Sequence, residues 1–291
     1  MESLRDRYII MPKGFLWDDK YRSYTAVEYR IDDAYRSIMQ AEISRETEEN
    51  GTRHYRCPNN QYGFNSYPSI TTILASLPSS GLDEWKVRVG AVEAARIGKA
   101  ATKRGSELHG HLEDILHNKL VDLTPCTAFI RQMVKSAAAY LSNINMVYQV
   151  ESVLWSHNLQ VAGSVDCVAD WKGKLSVIDF KTANKAKLKE YINSYFLQTT
   201  AYALMFEEMY HVPIEDVVVM IAVEGAETQI FEAKVADYRE QLIGVIDHYH
   251  ATRKEIYPHY SYTGSTWNYA KHGRDGRQAA CCTVHKHPVS S

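Results

Sequence analysis

The sequence predicts an α/β (α+β) fold, with a mixed central sheet flanked by helices and preceded by a mainly helical segment. Apolar residues recur at helical spacing through residues 69–143. Strand-like runs follow at residues 147–181. A long helical pattern comes next, and two more strand-like runs follow it at residues 217–223 and 228–234. Strands, a helix and further strands in this order favour one sheet with helices packed on its faces.

The individual elements follow from periodicity and from turn residues. Helices are predicted ahead of the sheet at residues 69–77, 82–97, 99–118 and 127–143. Strands are predicted at residues 147–155, 160–170, 175–181, 217–223 and 228–234. Longer helices follow the third and fifth strands, at residues 187–210 and 236–253.

We divide the chain into four parts on this pattern. They are a strand and loop extension at residues 1–60, a helical segment at 61–145, the core domain at 146–256 and a polar, flexible tail at 257–291. Within the extension, "YRSYTAVEY" and "RHYRC" are candidate strands.

Composition excludes several classes of protein. With 291 residues and 45% hydrophobic content, the chain can bury one large core. The longest apolar run, residues 217–223, is far too short to span a bilayer, so we expect no membrane segment. The N-terminus has neither a secretory apolar region nor the acid-poor character of a transit peptide. Scattered cysteines without a C-x-x-C pair favour a reducing compartment, the cytoplasm; they are Cys57, Cys126, Cys167, Cys281 and Cys282.

A net charge of −2 gives the chain no general attraction to nucleic acid, so any such partner must be held by local patches. One candidate is a basic strip on the predicted helices, formed by Lys86, Arg88, Arg96, Lys99, Lys103 and Arg104. A second candidate is a lysine cluster formed by Lys181, Lys185, Lys187 and Lys189. Either patch is equally compatible with a solvated surface that contacts nothing.

The predicted hairpin at residues 161–185 places charged residues among apolar ones. Lys172 and Gly173 suit a two-residue turn, which brings Asp166 directly opposite Asp179. Two like charges in opposed positions destabilise a strand pair. A divalent cation held by both carboxylates would offset that repulsion, and hard cations prefer oxygen ligands.

A second predicted hairpin adds to this charged group. A turn at residues 157–158 sets Glu151 opposite Ser164, and Ser164 in turn faces Lys181. Period-two alternation puts Glu151, Asp166, Asp179 and Lys181 on one face of the sheet. The alternative is a solvent-facing strand pair without metal, in which Lys181 neutralises one aspartate.

Two helices carry further polar candidates. His109 borders the apolar stripe of its helix and is a candidate metal ligand, although a histidine at the edge of a core helix is the commoner case. On the later helix, Gln198 interrupts a stripe of tyrosines that includes Tyr202. A buried amide requires a polar partner, which the carboxylates and Lys181 would supply.

Several short motifs together carry a family resemblance. "GSVDCVAD", "VIDFKT" and "QTTAY" resemble the G-x-x-D, D-x-K and Q-x-x-x-Y motifs of the RecB-like branch of the PD-(D/E)xK nuclease superfamily. "RGSELH" resembles its upstream histidine motif, and "YPSITTIL" and "VESVLW" resemble segments of its exonucleases. The resemblance covers roughly residues 52–210, with the motifs in family order and spacing.

The resemblance implies a restriction-endonuclease-like core and metal-dependent phosphodiester hydrolysis at DNA ends, in replication, recombination or repair. It assigns metal binding to His109, Asp166 and Asp179. The chemistry of this cluster suits Mg²⁺ or Mn²⁺, with a backbone carbonyl near Phe180 as a further ligand. It assigns catalysis to Lys181, with support from Gln198 and Tyr202, and it matches Glu151 to an acidic family position. Phosphate contacts are then expected from Lys86, Arg88, Lys99, Lys103, Arg104, Lys185 and Lys187. With tyrosines available for stacking, single-stranded ends are the favoured substrate.

Some features of the family are missing from the sequence. Some relatives carry an iron-sulfur cluster on four cysteines, whereas here Cys281 and Cys282 are adjacent and no third follows, so no cluster is expected. His285 and His287 leave a metal site in "CCTVHKH" as an alternative to a loose tail. The chain has no G-x-x-x-x-G-K-[ST] loop and hence no ATP site, so an ATP-driven step would need a separate helicase or recombination protein.

Two other functions remain open on the sequence alone. One is a structure-specific endonuclease of the same fold. The other is a non-catalytic module that binds DNA ends or a partner protein on a nuclease fold; the intact set of Asp166, Asp179 and Lys181 is evidence against it.

Overall fold

The computed structural model describes residues 8–11, 15–18, 23–26, 30–31, 44–47, 52–58, 64–77 and 82–256. The strands in these ranges are β1 (Tyr8–Met11), β2 (Phe15–Asp18), β3 (Ser23–Ala26), β4 (Arg30–Ile31), β5 (Ser44–Thr47), β6 (Arg53–Pro58), β7 (Phe64–Pro68), β8 (Val121–Asp122), β9 (Ile144–Ser156), β10 (Val161–Trp171), β11 (Lys174–Ala183), β12 (Asp216–Val223) and β13 (Gln229–Lys234). The helices are α1 (Ile70–Ala75), α2 (Leu82–Val89), α3 (Ala91–Leu116), α4 (Ala128–Leu141), α5 (Asn193–Tyr210) and α6 (Val235–Ile256).

The central sheet is mixed, which confirms the predicted fold class. Its strand order is β13-β12-β11-β10-β9-β4. The β9–β10, β10–β11 and β12–β13 pairs are antiparallel, whereas β11 and β12 run parallel. Parallel neighbours require a crossover connection, and α5 provides it.

Helices cover the two faces of this sheet, and each face has its own apolar core. One core joins α3 and α4 to Cys167, Ile178 and Phe180 of the sheet. The other joins α1, α5 and α6 to Val165 and Val177. The tail at residues 257–291, with Cys281, Cys282, His285 and His287, lies outside the described residues.

In the described ranges, strands of the extension form two small sheets together with β7 and β8, whereas β4 pairs with β9 at the edge of the central sheet. One has the order β1-β2-β3-β8 and the other the order β5-β6-β7. The prediction that "RHYRC" is a strand is confirmed by β6, and part of "YRSYTAVEY" forms β3. No helix within the described ranges is long and apolar enough to cross a membrane.

Two predicted helix boundaries are wrong. The break expected near residue 98 lies at Gly90, whose φ of 84° ends α2, and α3 runs unbroken through Gly98. The helix expected from residue 187 begins at Asn193. A loop precedes it, and its backbone at Lys187 is fixed by reciprocal hydrogen bonds with the side-chain amide of Gln229.

The β10–β11 hairpin has the predicted register. Lys172 and Gly173 adopt φ values of 52° and 84°, as a two-residue primed turn requires. Pairing is regular from Trp171 and Lys174 to Cys167 and Ile178, one step before Asp166 and Asp179.

The β9–β10 register differs from the prediction by two residues. The connection spans residues 157–160 rather than two residues, so Ser164 pairs with Val153 and not with Glu151. Glu151 instead lies beside Asp166, between the pairs Val165–Ser152 and Cys167–Val150. Because a two-residue shift leaves every side chain on its original face, Glu151 still reaches the charged group.

Candidate active site

A cleft of about 400 Å³ opens where α3, α5 and strands β9–β11 meet the β5-β6-β7 sheet. Six of the predicted catalytic and metal-binding residues line its walls: His109, Glu151, Asp166, Lys181, Gln198 and Tyr202. Asp179 is fully buried beside Lys181. The fold thus brings together residues that are up to 93 positions apart in the chain, from His109 to Tyr202.

Asp166 lies where the side chains of β10 stop alternating regularly between the two faces of the sheet. Val165 and Cys167 are two residues apart yet pack into different cores, so the strand changes faces at this position. One carboxylate oxygen, Oδ2, accepts a hydrogen bond from the backbone N–H of Phe180 at 2.7 Å. Burial would raise the pKa of Asp166, but His109 and Lys181 hold it below the usual value.

His109 projects from α3 toward the two carboxylates of the hairpins. Its Nδ1 lies 3.5 Å from Asp166 Oδ1 and 3.8 Å from Glu151 Oε1, and its ring packs edge-on against Phe180. Burial would lower the pKa of His109, but its hydrogen bonds to Asp166 and Glu151 outweigh that effect and raise it to about 10. Without a metal, the imidazole is therefore the cation that balances these acids.

Glu151 completes a compact group of donor atoms. It adopts a φ of 46°, a left-handed conformation that costs free energy for a non-glycine residue, of order 1–3 kcal/mol. Its Oε2 accepts a hydrogen bond from Ser164 Oγ at 3.2 Å. One donor atom each from His109, Glu151 and Asp166 lies within 4.8 Å of the others. Nitrogen and carboxylate donors at this spacing fit a divalent cation.

Asp179 is the most deeply buried carboxylate of the group, and Lys181 is its close charged partner. Lys181 Nζ lies 2.5 Å from Asp179 Oδ2, yet neither oxygen accepts a hydrogen bond of good geometry from the described residues. Burial, with a contribution from Asp166, raises the pKa of Asp179 to about 6 in spite of Lys181. Ionisation of Asp179 remains costly even with Lys181 beside it, so a metal ion would further favour its charged form.

Lys181 is held between Asp179 and an aromatic ring. Burial would lower the pKa of Lys181, but Asp179 and Asp166 raise it above the usual value. Its Nζ also lies 5.3 Å from the ring centroid of Tyr195 on α5, within the range of a cation–π contact. The ammonium is therefore charged and fixed at the cleft.

Gln198 and Tyr202 form the α5 wall of the cleft. Gln198 Nε2 donates to the Tyr202 hydroxyl at 3.3 Å, so the amide has a polar partner, although it is Tyr202 rather than a carboxylate or Lys181. Tyr202 packs against the backbone of Gly163, where an added Cβ would lie 2.8 Å from Tyr202 Cε1 and 3.2 Å from Ile70 Cγ2. The glycine of "GSVD" therefore allows α5 and α1 to approach β10 closely.

Gly163→Ala should lower the free energy of unfolding by about 1–3 kcal/mol, because Tyr202 and Ile70 are buried and must shift to admit the methyl group. Chemical denaturation measures the change. Gly98→Ala is the matched control: it lies within α3 with no atom near the new Cβ, and we expect it to be neutral or to stabilise by up to about 1 kcal/mol. Equal stability of Gly163→Ala and the parent would contradict the close packing.

The predicted phosphate-binding residues divide into two groups. Lys86, Arg88, Lys99 and Lys103 are exposed on α2 and α3, and Lys185 and Lys187 are exposed on the loop before α5. Arg104 differs, because its side chain is only 17% exposed and its Nη1 lies 3.4 Å from Glu224 Oε2. Within the basic strip, Arg96 pairs with Glu93 at 2.7 Å. Arg104 thus links α3 to the residue that follows β12, whereas Lys99 and Lys103 are exposed on α3.

Two arginines and a tyrosine that were not predicted as site residues also line the cleft. Arg45 of β5 and Arg53 and Tyr55 of β6 line it opposite the carboxylates. Alternation in "RHYRC" places Arg53 on the same face as buried Tyr55 and Cys57, a signal that a basic residue here faces the protein rather than solvent.

Parts of the chain are similar to known proteins. The sequence model of the PD-(D/E)XK nuclease superfamily matches residues 127–263. This part of the chain is therefore similar to a PD-(D/E)XK nuclease domain. That match contains Glu151, Asp166, Asp179 and Lys181, whereas His109 lies upstream of it on α3.

Curated relatives are named mitochondrial genome maintenance exonuclease 1. The Xenopus tropicalis protein is 34% identical over 158 residues, which cover 49% of this chain and 44% of the relative. The Homo sapiens protein is 31% identical over 151 residues, which cover 47% of this chain and 43% of the relative. The chain therefore spans less than half the length of these relatives. A putative exonuclease structure from Eubacterium rectale is also similar, with a TM-score of 0.39, 12% identity, and coverage of 65% of this chain and 77% of that one.

Proposed function

We propose that the chain is a divalent-metal-dependent DNA exonuclease that hydrolyses phosphodiester bonds from single-stranded ends. The observation that carries the proposal is the convergence of His109, Glu151, Asp166, Asp179 and Lys181 at one cleft of a PD-(D/E)XK nuclease domain. The names of the curated relatives support exonuclease activity.

The donor set fits Mg²⁺ or Mn²⁺. His109, Glu151 and Asp166 offer a nitrogen and carboxylate oxygens at ligand spacing, and Asp179 offers a buried carboxylate without hydrogen bonds. The carbonyl of Phe180 remains a proposed further ligand. When bound, the ion would polarise the scissile phosphate and lower the pKa of a water molecule.

The residues of the chain would then have separate roles in hydrolysis. The charged Lys181 orients the attacking water or neutralises charge that develops on the phosphate. Asp179 holds the ammonium of Lys181 in place. Gln198 and Tyr202 shape the opposite wall, where the phenol stays protonated because burial raises the pKa of Tyr202 well above its usual value.

The proposed preference for single strands rests on the loop between β11 and α5. Exposed Tyr191 and Leu188 accompany Lys185 and Lys187 on the loop before α5. An aromatic ring among basic residues suits base stacking combined with phosphate contacts.

A cleavage assay tests the function directly. End-labelled linear single-stranded DNA, linear duplex and circular single-stranded DNA are incubated with Mg²⁺ or Mn²⁺. We expect shortening of the linear single strand in either metal, with Mn²⁺ at least as effective because of the imidazole ligand, and none in EDTA. Full activity in EDTA would contradict the metal mechanism, and cleavage of the circle would favour the structure-specific endonuclease. DNA binding without cleavage would favour the binding module.

Mn²⁺ affinity should depend on pH in two regimes. Metal and protons compete for the same ligands, so the logarithm of the apparent affinity should rise by about one per pH unit above pH 6, where His109, with a pKa of about 10, must lose its proton. Below pH 6 the slope should approach about two, because Asp179, with a pKa of about 6, is protonated as well. Isothermal titration of Mn²⁺ between pH 5 and 8 measures both slopes.

Asp179→Asn is the matched control for the steeper regime, since it removes the second titrating ligand and should leave a slope of about one throughout. A parent protein with the same slope above and below pH 6 would show that Asp179 is not a ligand.

A further inference from the structure

A second cluster of metal-binding side chains lies on the other side of α3. Glu107 and His111 are four residues apart on one face of the helix, and Cys126 approaches them from the turn before α4. One donor atom from each of the three residues lies within 4.8 Å of the others. Cys126 is 8% exposed, and Glu107 and His111 are half-buried.

This cluster is separate from the nuclease cleft. His109 lies between Glu107 and His111 in sequence, and a step of two residues turns an α-helix by about 200°. Helix α3 therefore presents His109 to the cleft on one side and the second cluster on the other. None of the cluster residues lines the cleft.

The donor atoms suit zinc. His111 Nε2 lies 3.2 Å from Cys126 Sγ. Bonds of about 2.1 Å to nitrogen and 2.3 Å to sulfur in a tetrahedral site place these atoms roughly 3.6 Å apart, so a small movement would admit the ion. Sulfur with imidazole and carboxylate selects zinc over Mg²⁺, which prefers oxygen ligands alone.

The surroundings of the cluster are both acidic and basic. Asp122 lies close enough to the Cys126 thiol to interact with it electrostatically, as does Arg131. The guanidinium of Arg131 is engaged, because its Nη1 donates to the backbone carbonyl of Cys126 and fixes the turn. The turn that carries the thiol is therefore held in place before any ion binds.

We propose that Glu107, His111 and Cys126 form a zinc site that ties α3 to the turn before α4. Three protein ligands leave a fourth position for water. Binding would release the thiol proton of Cys126, since the thiolate is the ligand. The ion would restrain α3 and so steady His109 at the cleft, a structural role that metal binding tests without an activity assay.

Zinc binding to the untagged full-length chain tests the site. All measurements use a protein that carries Asp166→Asn, because this substitution weakens metal binding at the nuclease cleft. We expect one equivalent of Zn²⁺ to remain after gel filtration and a higher melting temperature with zinc than after chelation. Cys126→Ser and His111→Gln should each lower the affinity, measured by competition with a chromophoric chelator, by about 100-fold or more, since even indirect ligand supports contribute 10–100-fold.

The absorption spectrum of bound Co²⁺ distinguishes loss of the thiolate ligand from a folding defect. Co²⁺ in the site should show thiolate charge-transfer absorption, which Cys126→Ser abolishes and the double variant Cys281→Ser, Cys282→Ser retains. Circular dichroism checks that each variant is folded. If Cys126→Ser does not fold, His111→Gln takes its place in the zinc-affinity measurement. Parent-like zinc affinity in Cys126→Ser or His111→Gln, or a parent cobalt spectrum without the thiolate band, would overturn the site and leave the contact of His111 with Cys126 as a hydrogen bond only.

Discussion

Asp179→Asn and Lys181→Ala should each lower the rate of single-strand cleavage by about 100-fold or more while leaving DNA affinity nearly unchanged. Asp179→Asn keeps the size of the side chain but removes the charge that faces Lys181 and the proposed cation. Lys181→Ala removes the ammonium and leaves all four proposed acidic and histidine ligands in place. Fixed charges and proton-transfer groups in active sites contribute on this scale. Single-turnover cleavage measures the chemical step apart from binding.

The two variants should differ in metal binding, which separates their roles. Mn²⁺ should bind Lys181→Ala as tightly as the parent or more tightly, because a neighbouring positive charge is lost. Asp179→Asn should bind Mn²⁺ more weakly. Lys174→Ala is the matched control, since this lysine lies at the far end of β11 and pairs with Asp216 at the surface. Parent-like cleavage by both site variants would assign any observed nuclease activity to another part of the protein.

The sequence specified one hairpin of the site because its turn is local. Lys172 and Gly173 adopt positive φ, which a two-residue turn demands, and this fixes the β10–β11 register without any distant contact. The β9–β10 turn is different. Its backbone N–H groups at His157 and Asn158 donate to Glu208 of α5, about 50 residues away. A turn stabilised by such a tertiary contact cannot be placed from its own residues.

The helix break near Gly90 also could not be located from the local sequence. Gly90 and Gly98 look alike in sequence, yet only Gly90 breaks the helix, because nothing local distinguishes a glycine tolerated in a helix from one with positive φ. Arg45 and Arg53 were missed at the cleft for a related reason. Their place depends on how the β5-β6-β7 sheet packs on β10, a contact between distant parts of the chain.

Replacing Arg88, Lys99 and Lys103 together with glutamine should produce the opposite phenotype to the cleft variants. These residues are exposed on α2 and α3, and Lys103 lies about 9 Å along the helix axis from His109, at 1.5 Å per residue. Each contact to a single strand contributes about 0.7 to the salt slope, so three should lower that slope by about 2 and the affinity by about 100-fold at 0.1 M salt. Fluorescence anisotropy over a range of salt concentrations measures both quantities.

A matched triple variant controls for net charge. Lys119, Lys172 and Lys234 are also surface residues, but each lies within 2.8 Å of a carboxylate oxygen, of Asp114, Glu232 and Asp216 respectively. Their replacement by glutamine removes the same charge and should leave the salt slope within about 0.5 of the parent. Mn²⁺ affinity should be unchanged in both triples, because neither touches the cleft. Equal losses of DNA affinity in the two triples would mean that the strand responds to total charge, and that α2 and α3 do not guide it to His109, Asp166 and Asp179.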